Sequence, residues 1–322
     1  MSEKMIYRGR IHGPFEDEWL LHKKCSEWWY ATGTLKDGQD REYSFQFTMI
    51  RARVFGICPY ILMLALTDFQ TKKHHYFQDF DLIGTKAKIR KNAVYYGDRA
   101  SAVKNEKGIL IHIDGGDFGF KLQLDYGKGA FWHCEDGYLK MGVDRPNQST
   151  FYYSYTNMPA SGTIRADGEV REVTGKGWFD KQGGPYDIIK AETHWEWFSL
   201  RFFDDEEMML FSFPQDNYRD GTYISKAGQS CRLNNYSLEA TAFTSPDGNL
   251  KYACEWKLSV PGLKDGEYTI VPKMDGQMNI GYYELLADII NADGEKKGLC
   301  FVELLPGARN EKFANILLSK TK

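Results

Sequence analysis

In residues 43–50, "YSFQFTMI", Tyr43, Phe45, Phe47 and Met49 alternate with Ser44, Gln46 and Thr48. A period of two separates two faces, which is the pattern of a β-strand with unlike sides. The runs "ILIHI" (109–113), "FYYSYTN" (151–157), "HWEWFSLRFF" (194–203), "MMLFSF" (208–213) and "YACEWKLSV" (252–260) have similar β-rich or alternating character. Between the runs stand nine Asp-Gly dipeptides, at 37–38, 114–115, 136–137, 167–168, 220–221, 247–248, 265–266, 275–276 and 293–294. Asp-Gly tolerates the positive φ angles of tight hairpins, so this punctuation predicts antiparallel up-and-down strands rather than βαβ units. Helix patterns are nearly absent; "PYDIIKAET" (185–193) reads as one short helical turn or a linker. The expected fold class is therefore all-β. A single antiparallel sheet of this length would curl, split or close. Two barrels or sandwiches, each about half of the 322 residues, fit better. Closed barrels also remove exposed strand edges. The least strand-like division is "KQGGPYDIIKAE" (181–192), which sets the expected domains at 1–187 and 188–322.

Composition narrows the class without naming a function. Hydrophobic residues make up 42%, charged residues 26%, and the net charge is −3, as in an ordinary globular protein rather than a disordered one. The near-neutral balance gives no electrostatic reason to expect nucleic acid. Aromatics, at 15%, are high; they pack β-structure and also line apolar pockets. Cys25, Cys58, Cys134, Cys231, Cys254 and Cys300 are scattered without a C-x-x-C pair, so reduced, mostly buried thiols are expected. The N-terminus "MSEKMIYRGRIHG" has no apolar signal core, and the longest apolar run, "ICPYILMLAL" (57–66), is half a membrane helix. A soluble cytoplasmic protein without membrane insertion is expected. Phosphate-binding glycine loops, a G-x-S-x-G elbow and H-E-x-x-H are all missing. His74 and His75 stand in the polar stretch "QTKKHHYFQDF", which reads as a surface loop. His194 and Glu196 share one strand face, a weak metal pattern. No metal and no organic cofactor is expected.

Four segments carry more than strand propensity requires. In "SEWWYATGTL" (26–35), alternation puts Trp28, Tyr30, Thr32 and Thr34 on one face and Glu27, Trp29, Ala31, Gly33 and Leu35 on the other. Trp28 and Tyr30 are expected to face a ligand, with Glu27 in a structural hydrogen bond. In "TGKGWFDKQGG" (174–184), Trp178 and Asp180 share a face among glycines that permit close backbone approach. An Asp beside Trp in a dry site has its neutral form favoured, as a proton donor needs; a turn-capping Asp is the alternative. In "THWEWFSLRFFDDEEMMLFSF" (193–213), Trp195, Trp197 and Ser199 line one face of a hairpin, and His194, Glu196 and Phe198 the other. A His and a carboxylate two apart can share a proton or form a structural pair. In "YYELLADIINADGEKKGLCFVELLPG" (282–307), Glu284 and Glu303 stand in apolar surroundings, where burial would demand a partner or a proton; they could equally face solvent.

Taken in order, these segments resemble one family. "EWWY.TG.L" at 27–35, a strand ending in Leu-Thr-Asp at 61–68, "YYS…SGT" at 152–163, "G.GWFD" at 175–180, "HWEWFSL.F.DD.E.MLF" at 194–211 and "YYE…G…VEL" at 282–304 look like the carotenoid 1,2-hydratase and AttH-like group. The resemblance spans nearly the whole chain. It implies two tandem lipocalin-like β-barrels and chemistry on hydrophobic substrates without a bound cofactor. Members include hydratases of isoprenoid double bonds, and related two-barrel proteins catalyse cyclisations. Two departures stand out. The hydratase-like pattern is close to Trp-x-Asp-His-Glu-Trp, whereas here Trp178 and Asp180 are followed by Lys181, Gln182 and Gly183. A histidine often precedes Leu-Thr-Asp on the strand, where this chain has Met63 in "ILMLALTD".

The expected activity is a hydratase, cyclase or isomerase acting on a hydrophobic unsaturated small molecule. Asp180 would act as acid, and Glu196 and His194 would orient or relay the proton. Trp28, Tyr30, Trp178, Trp195 and Tyr153 would contact the substrate. The alternatives are a carrier that binds such a molecule without chemistry, and a structural protein whose aromatics only fill cores.

Overall fold

The computed structural model describes residues 6–7, 10–11, 18–22, 25–53, 57–134, 136–142, 148–186, 194–245, 251–279 and 282–305. The chain divides into two compact units, Met1–Ala191 and Glu192–Lys322. The expected boundary near 187, most of "PYDIIKAET" and the Asp-Gly pair at 247–248 lie outside the described residues.

The first unit is built on one antiparallel sheet. Its hydrogen-bonded order runs Lys73–Asp81, Tyr60–Asp68, Glu42–Arg51, Ser26–Asp37, Glu169–Gly184, Ser149–Ala166, Gly119–Asp125, Gly108–Asp114, Ala100–Lys104, Ala93–Tyr96, Ala87–Arg90. Two short strands, Ala130–Trp132 and Tyr138–Lys140, also pair with Ser149–Ala166. The outermost strands of the path are consecutive in sequence, so the sheet curls nearly into a barrel. The second unit repeats the plan in the order Ser230–Arg232, Tyr218–Ile224, Glu207–Phe213, Trp195–Phe202, Lys296–Leu305, Tyr282–Asn291, Glu267–Pro272, Tyr252–Ser259, Ser237–Thr244. Its outermost strands are likewise consecutive among the strands. The fold is all-β, two tandem lipocalin-like near-barrels. Among the described residues, no helix is long and apolar enough to cross a membrane.

Alternation sorts each strand between two environments. In the first unit Trp29, Ala31, Phe47, Met49, Leu62, Leu64 and Phe179 form the core. In the second, Phe198, Leu200, Trp256, Leu258, Leu285 and Val302 do. The Asp-Gly signal works where both residues take positive φ, as at Asp167 (51°) and Gly168 (79°) between two long strands. It fails at Asp220-Gly221, which lies inside the strand Tyr218–Ile224. There the Asp220 carboxylate accepts two N–H groups of Arg232, at 2.9 and 2.7 Å, and a Cβ on Gly221 would stand 2.4 Å from the Met209 carbonyl oxygen. That glycine serves close strand approach, not a turn. His74 and His75 are also not in a loop. They lie in Lys73–Asp81, an edge strand whose polarity suits its half-exposed position. None of the six cysteines is paired, but only Cys134 and Cys300 are buried.

The core face of the first unit holds one buried charged group of unusual completeness. Lys181 and Glu27 are both fully buried and form an ion pair through Nζ and Oε2. The Lys181 ammonium stands 4.3 Å from the centre of the Trp29 ring, a cation–π contact. The His22 backbone N–H donates to Glu27 Oε1 at 2.5 Å, and its ring Nε2 lies 3.1 Å from Glu18. Burial works against every charge here. At Glu27 the charges of Lys181 and His22 outweigh it and hold the carboxyl below its ordinary range. At His22 the hydrogen bonds of Glu18 and Glu27 outweigh it and push the imidazole up to about 9. Glu27 is thus a structural partner, not a wall of a site.

Candidate active site

The face of the first sheet that turns away from this core carries a row of unlike residues. Ser154 pairs with Asp180, Asp180 with Tyr30, Tyr30 with Thr48 and Thr48 with Met63. Directly opposed residues of antiparallel strands point the same way, so these five side chains share one face. Trp178 lies two residues from Asp180 and pairs with Thr32; Trp28 pairs with Gln182, two residues on the other side. Trp28, Tyr30, Trp178 and Asp180 therefore belong together, as their spacing implies, and all four are buried. Met63, where the resemblance sets a histidine, falls in the same row.

A distortion of the neighbouring strand adds a histidine. Trp132 pairs with Tyr153 and Tyr138 with Phe151, so the described residues 133, 134, 136 and 137 fall opposite the single residue Tyr152. Such an insertion locally re-aims a side chain. Cys134 (57°), Asp136 (53°) and Gly137 (70°) take positive φ to make it. Only Gly fits at 137, because a Cβ there would lie 2.3 Å from the Trp132 ring. The backbone is held at both ends, the His133 N–H donating to the Tyr152 carbonyl at 3.0 Å and the Tyr152 N–H to the Gly137 carbonyl at 2.9 Å. The result is a His133 ring 4.4 Å from Tyr152 and parallel to Trp178, with 3° between the planes. Gly137→Ala is expected to lower stability by about 1–3 kcal/mol. Gly38→Ala, with open space around the added methyl, is the control and should be nearly neutral; thermal unfolding of both variants checks this.

Hydrogen bonds tie the histidine to the aspartate. Asp180 Oδ1 accepts the Trp178 indole N–H at 2.5 Å and the Ser154 hydroxyl. Ser154 Oγ lies 2.6 Å from His133 Nε2. Since the Ser154 proton points to Asp180, its oxygen must accept from His133, which places the imidazole proton on Nε2. Nδ1 is then bare, in keeping with its having no hydrogen-bond partner among the described residues. Burial pushes His133 down to about 3, so the ring is neutral at any physiological pH. Burial also raises Asp180, and the hydrogen bonds from Ser154, Trp178 and Tyr152 only partly oppose this, leaving the carboxyl at about 7. Two of these groups, Ser154 and Trp178, meet on Oδ1. A carboxyl poised near neutrality, with a fixed orientation and a conjugate base already hydrogen-bonded, has the properties of a general acid.

The remaining expected residues lie elsewhere. Tyr153 is one position out of phase: it pairs with Lys181 and is fully buried in the first core. Its neighbour Tyr152 shares the Asp180 face. Trp195 and Trp197 lie on the non-core face of the second sheet, where the Trp195 indole donates to Glu303 at 2.8 Å. Glu303 opposes Glu284, which is buried and accepts from Asn279. Glu196 and His194 line a cavity made wholly of second-unit residues. Burial raises Glu196 to about 7; the Trp256 indole partly offsets this without reaching hydrogen-bond geometry. Glu196 and His194 belong to the second unit, and within the first unit other groups bond Asp180. The groups that do bond it, Ser154 and Tyr152, and His133 behind them, escape sequence reasoning. The one available signal is the run "FWHCEDG", where a histidine and an Asp-Gly interrupt a strand.

Comparison with known proteins places the chain. A family model described as AttH-like matches residues 14–307. No curated protein matches the chain at a significant level. A crystal structure assigned to AttH from Nitrosomonas europaea superposes with a TM-score of 0.82 at 23% identity, covering 94% of this chain and 99% of that one. Kievitone hydratase from Nectria haematococca superposes with a TM-score of 0.66 at 15% identity, covering 87% and 88%. CghA, crystallised with Sch210972, gives 0.51 at 8% identity with the same coverage. At these identities the likeness is one of fold.

Proposed function

The chain belongs to the AttH-like family, and from that premise we propose that it is an acid–base enzyme of the hydratase, cyclase or isomerase type, acting on a hydrophobic unsaturated small molecule. The observation that carries this reading is the Asp180 carboxyl, buried beside Trp178 and held near neutrality. A hydratase of the same fold supports the reaction class, and a relative solved with Sch210972 supports a small-molecule ligand.

In the proposed reaction the Asp180 carboxyl gives its proton to a carbon of a double bond or to a carbonyl oxygen. Positive charge develops on the substrate and negative charge on the carboxyl. The donors from Ser154 and Trp178 already point at Oδ1 and hold the new carboxylate without reorganisation. The faces of Trp28, Tyr30 and Trp178 attract the cation. Attack by water gives hydration, attack by a second double bond gives cyclisation, and loss of a neighbouring proton gives isomerisation. In each case the carboxylate regains a proton from the product side and the cycle closes. His133, neutral throughout, positions Ser154.

The test is a panel of isoprenyl alcohols and conjugated polyenes followed by mass and retention time. Hydration adds one water; cyclisation and isomerisation keep the mass and change the retention. Unchanged recovery of every bound compound would make the protein a carrier. For any compound turned over, kcat/KM follows the protonated fraction of Asp180, about tenfold lower at pH 8 than at pH 6. Ser154→Ala removes a donor to the carboxylate and moves this limb to higher pH, a shift that loss of packing alone would not produce.

A further inference from the structure

The cavity of the second unit has a chemistry of its own. Its volume is about 430 Å³, and all its walls come from residues 194–305. That size falls in the range of small-molecule sites, roughly 300–1,000 Å³. Phe213, Leu238, Tyr252 and Leu304 supply apolar wall, and two cations, Arg219 and Lys251, also line it. Arg219 donates to the Tyr236 carbonyl at 2.6 Å and to Asn217 at 3.3 Å. Lys251 stands 4.3 Å from the centre of the Phe243 ring. Neither has a carboxylate partner among the described residues, whereas Arg232 pairs with Asp220 and Lys264 with Glu206. The acid lining the cavity, Glu196, is displaced by burial toward its neutral form, and burial likewise keeps His194 neutral. The balance of charge inside the cavity is therefore positive, over apolar walls.

We infer that this cavity binds an apolar molecule carrying one carboxylate, with the carboxylate paired to Arg219 and Lys251 and the apolar part against Phe213, Leu238 and Tyr252. A carboxylate gains charge-assisted hydrogen bonds there, and an arginine offers them in a bidentate fork. An amine with the same apolar part meets two like charges instead. The walls of this cavity come from the second unit, and the described bonding partners of Asp180 from the first.

The experiment compares decanoate, decanol and decylamine by calorimetric titration of the full chain at low salt. Decanoate is expected to bind about tenfold or more tightly than either of the others. Arg219→Gln with Lys251→Gln removes that advantage and leaves decanol affinity within about twofold. Ala253→Phe, which fills the cavity, abolishes decanoate binding; Asp180→Asn leaves it unchanged. Circular dichroism confirms that each variant is folded, and the paired glutamine variant, on the cavity wall, keeps the test available if Ala253→Phe does not fold. Equal affinity for decanoate and decylamine, or decanoate binding untouched by the glutamine pair, overturns the inference. Because Asp180→Asn is silent in this assay, failure here and failure of the proposed reaction are separate results.

Discussion

Asp180→Asn lowers turnover at least a hundredfold and leaves the fold intact. The asparagine oxygen still accepts from Trp178 and Ser154, and its amide N–H occupies the place of the acidic O–H. What it lacks is a proton to give. A positioned general acid contributes about a hundredfold to ten-thousandfold, so kcat falls by that order. The stability side has a definite sign. Asp180 titrates at about 7 in the folded protein against an ordinary 3.8, so the folded state binds more protons than the unfolded one between these values. Stability from this group is present below pH 4 and is lost as pH rises through about 7. Asparagine carries no such loss. At pH 8 the variant should therefore unfold at the same temperature as the native protein or a higher one. Product formation and thermal unfolding at pH 6 and pH 8 check both halves. Full activity removes the acid role, and a lower midpoint at both pH values makes Asp180 a structural residue.

The second large effect is on folding alone. Lys181→Met leaves the fully buried Glu27 without its lysine, with only the more distant His22 ring as a cation, and breaking one side of a buried pair costs about 3–5 kcal/mol. Methionine fills much of the lysine stem's volume, so the loss is electrostatic rather than a cavity. Adding Glu27→Gln to Lys181→Met should restore most of the stability, since replacing a whole buried pair is often neutral. Denaturant unfolding of the two single variants and the double variant measures the coupling. A mild single variant, or a double variant as weak as Lys181→Met, would show that the pair does not act as a unit. The native protein should also lose stability as pH rises from about 6.5 through 9, because His22 is raised by its carboxylate partners and that contribution disappears when it deprotonates.

The same alternation that shows two faces in "SEWWYATGTL" shows which residues meet Asp180. Trp28 and Tyr30 stand with it, and Glu27 and Trp29 stand with Lys181, because a period of two has no other arrangement on a strand. Trp178 and Asp180, two apart, follow the same rule. His133, Ser154 and Tyr152 do not. Their approach depends on the register between Ser149–Ala166 and Glu169–Gly184, and on several residues opposing one, which no local period records. Tyr153 is misread for the same reason: in a run of three aromatic or hydroxyl residues, composition gives no phase. Asp220-Gly221 and the His74-His75 stretch show a further limit. Turn-like or polar composition can sit in a strand when an arginine satisfies the carboxylate or when the strand is an edge.

The most direct measurement of the central claim needs no substrate. Protein labelled with carbon-13 at its aspartate carboxyls is titrated by NMR, and the Asp180 resonance is identified by its absence from Asp180→Asn. A midpoint near 7, moving upward in Ser154→Ala, is the predicted result. A midpoint at the ordinary aspartate value near 3.8 would mean that Asp180 is a carboxylate at neutral pH, has no proton to donate, and is not the acid of this protein.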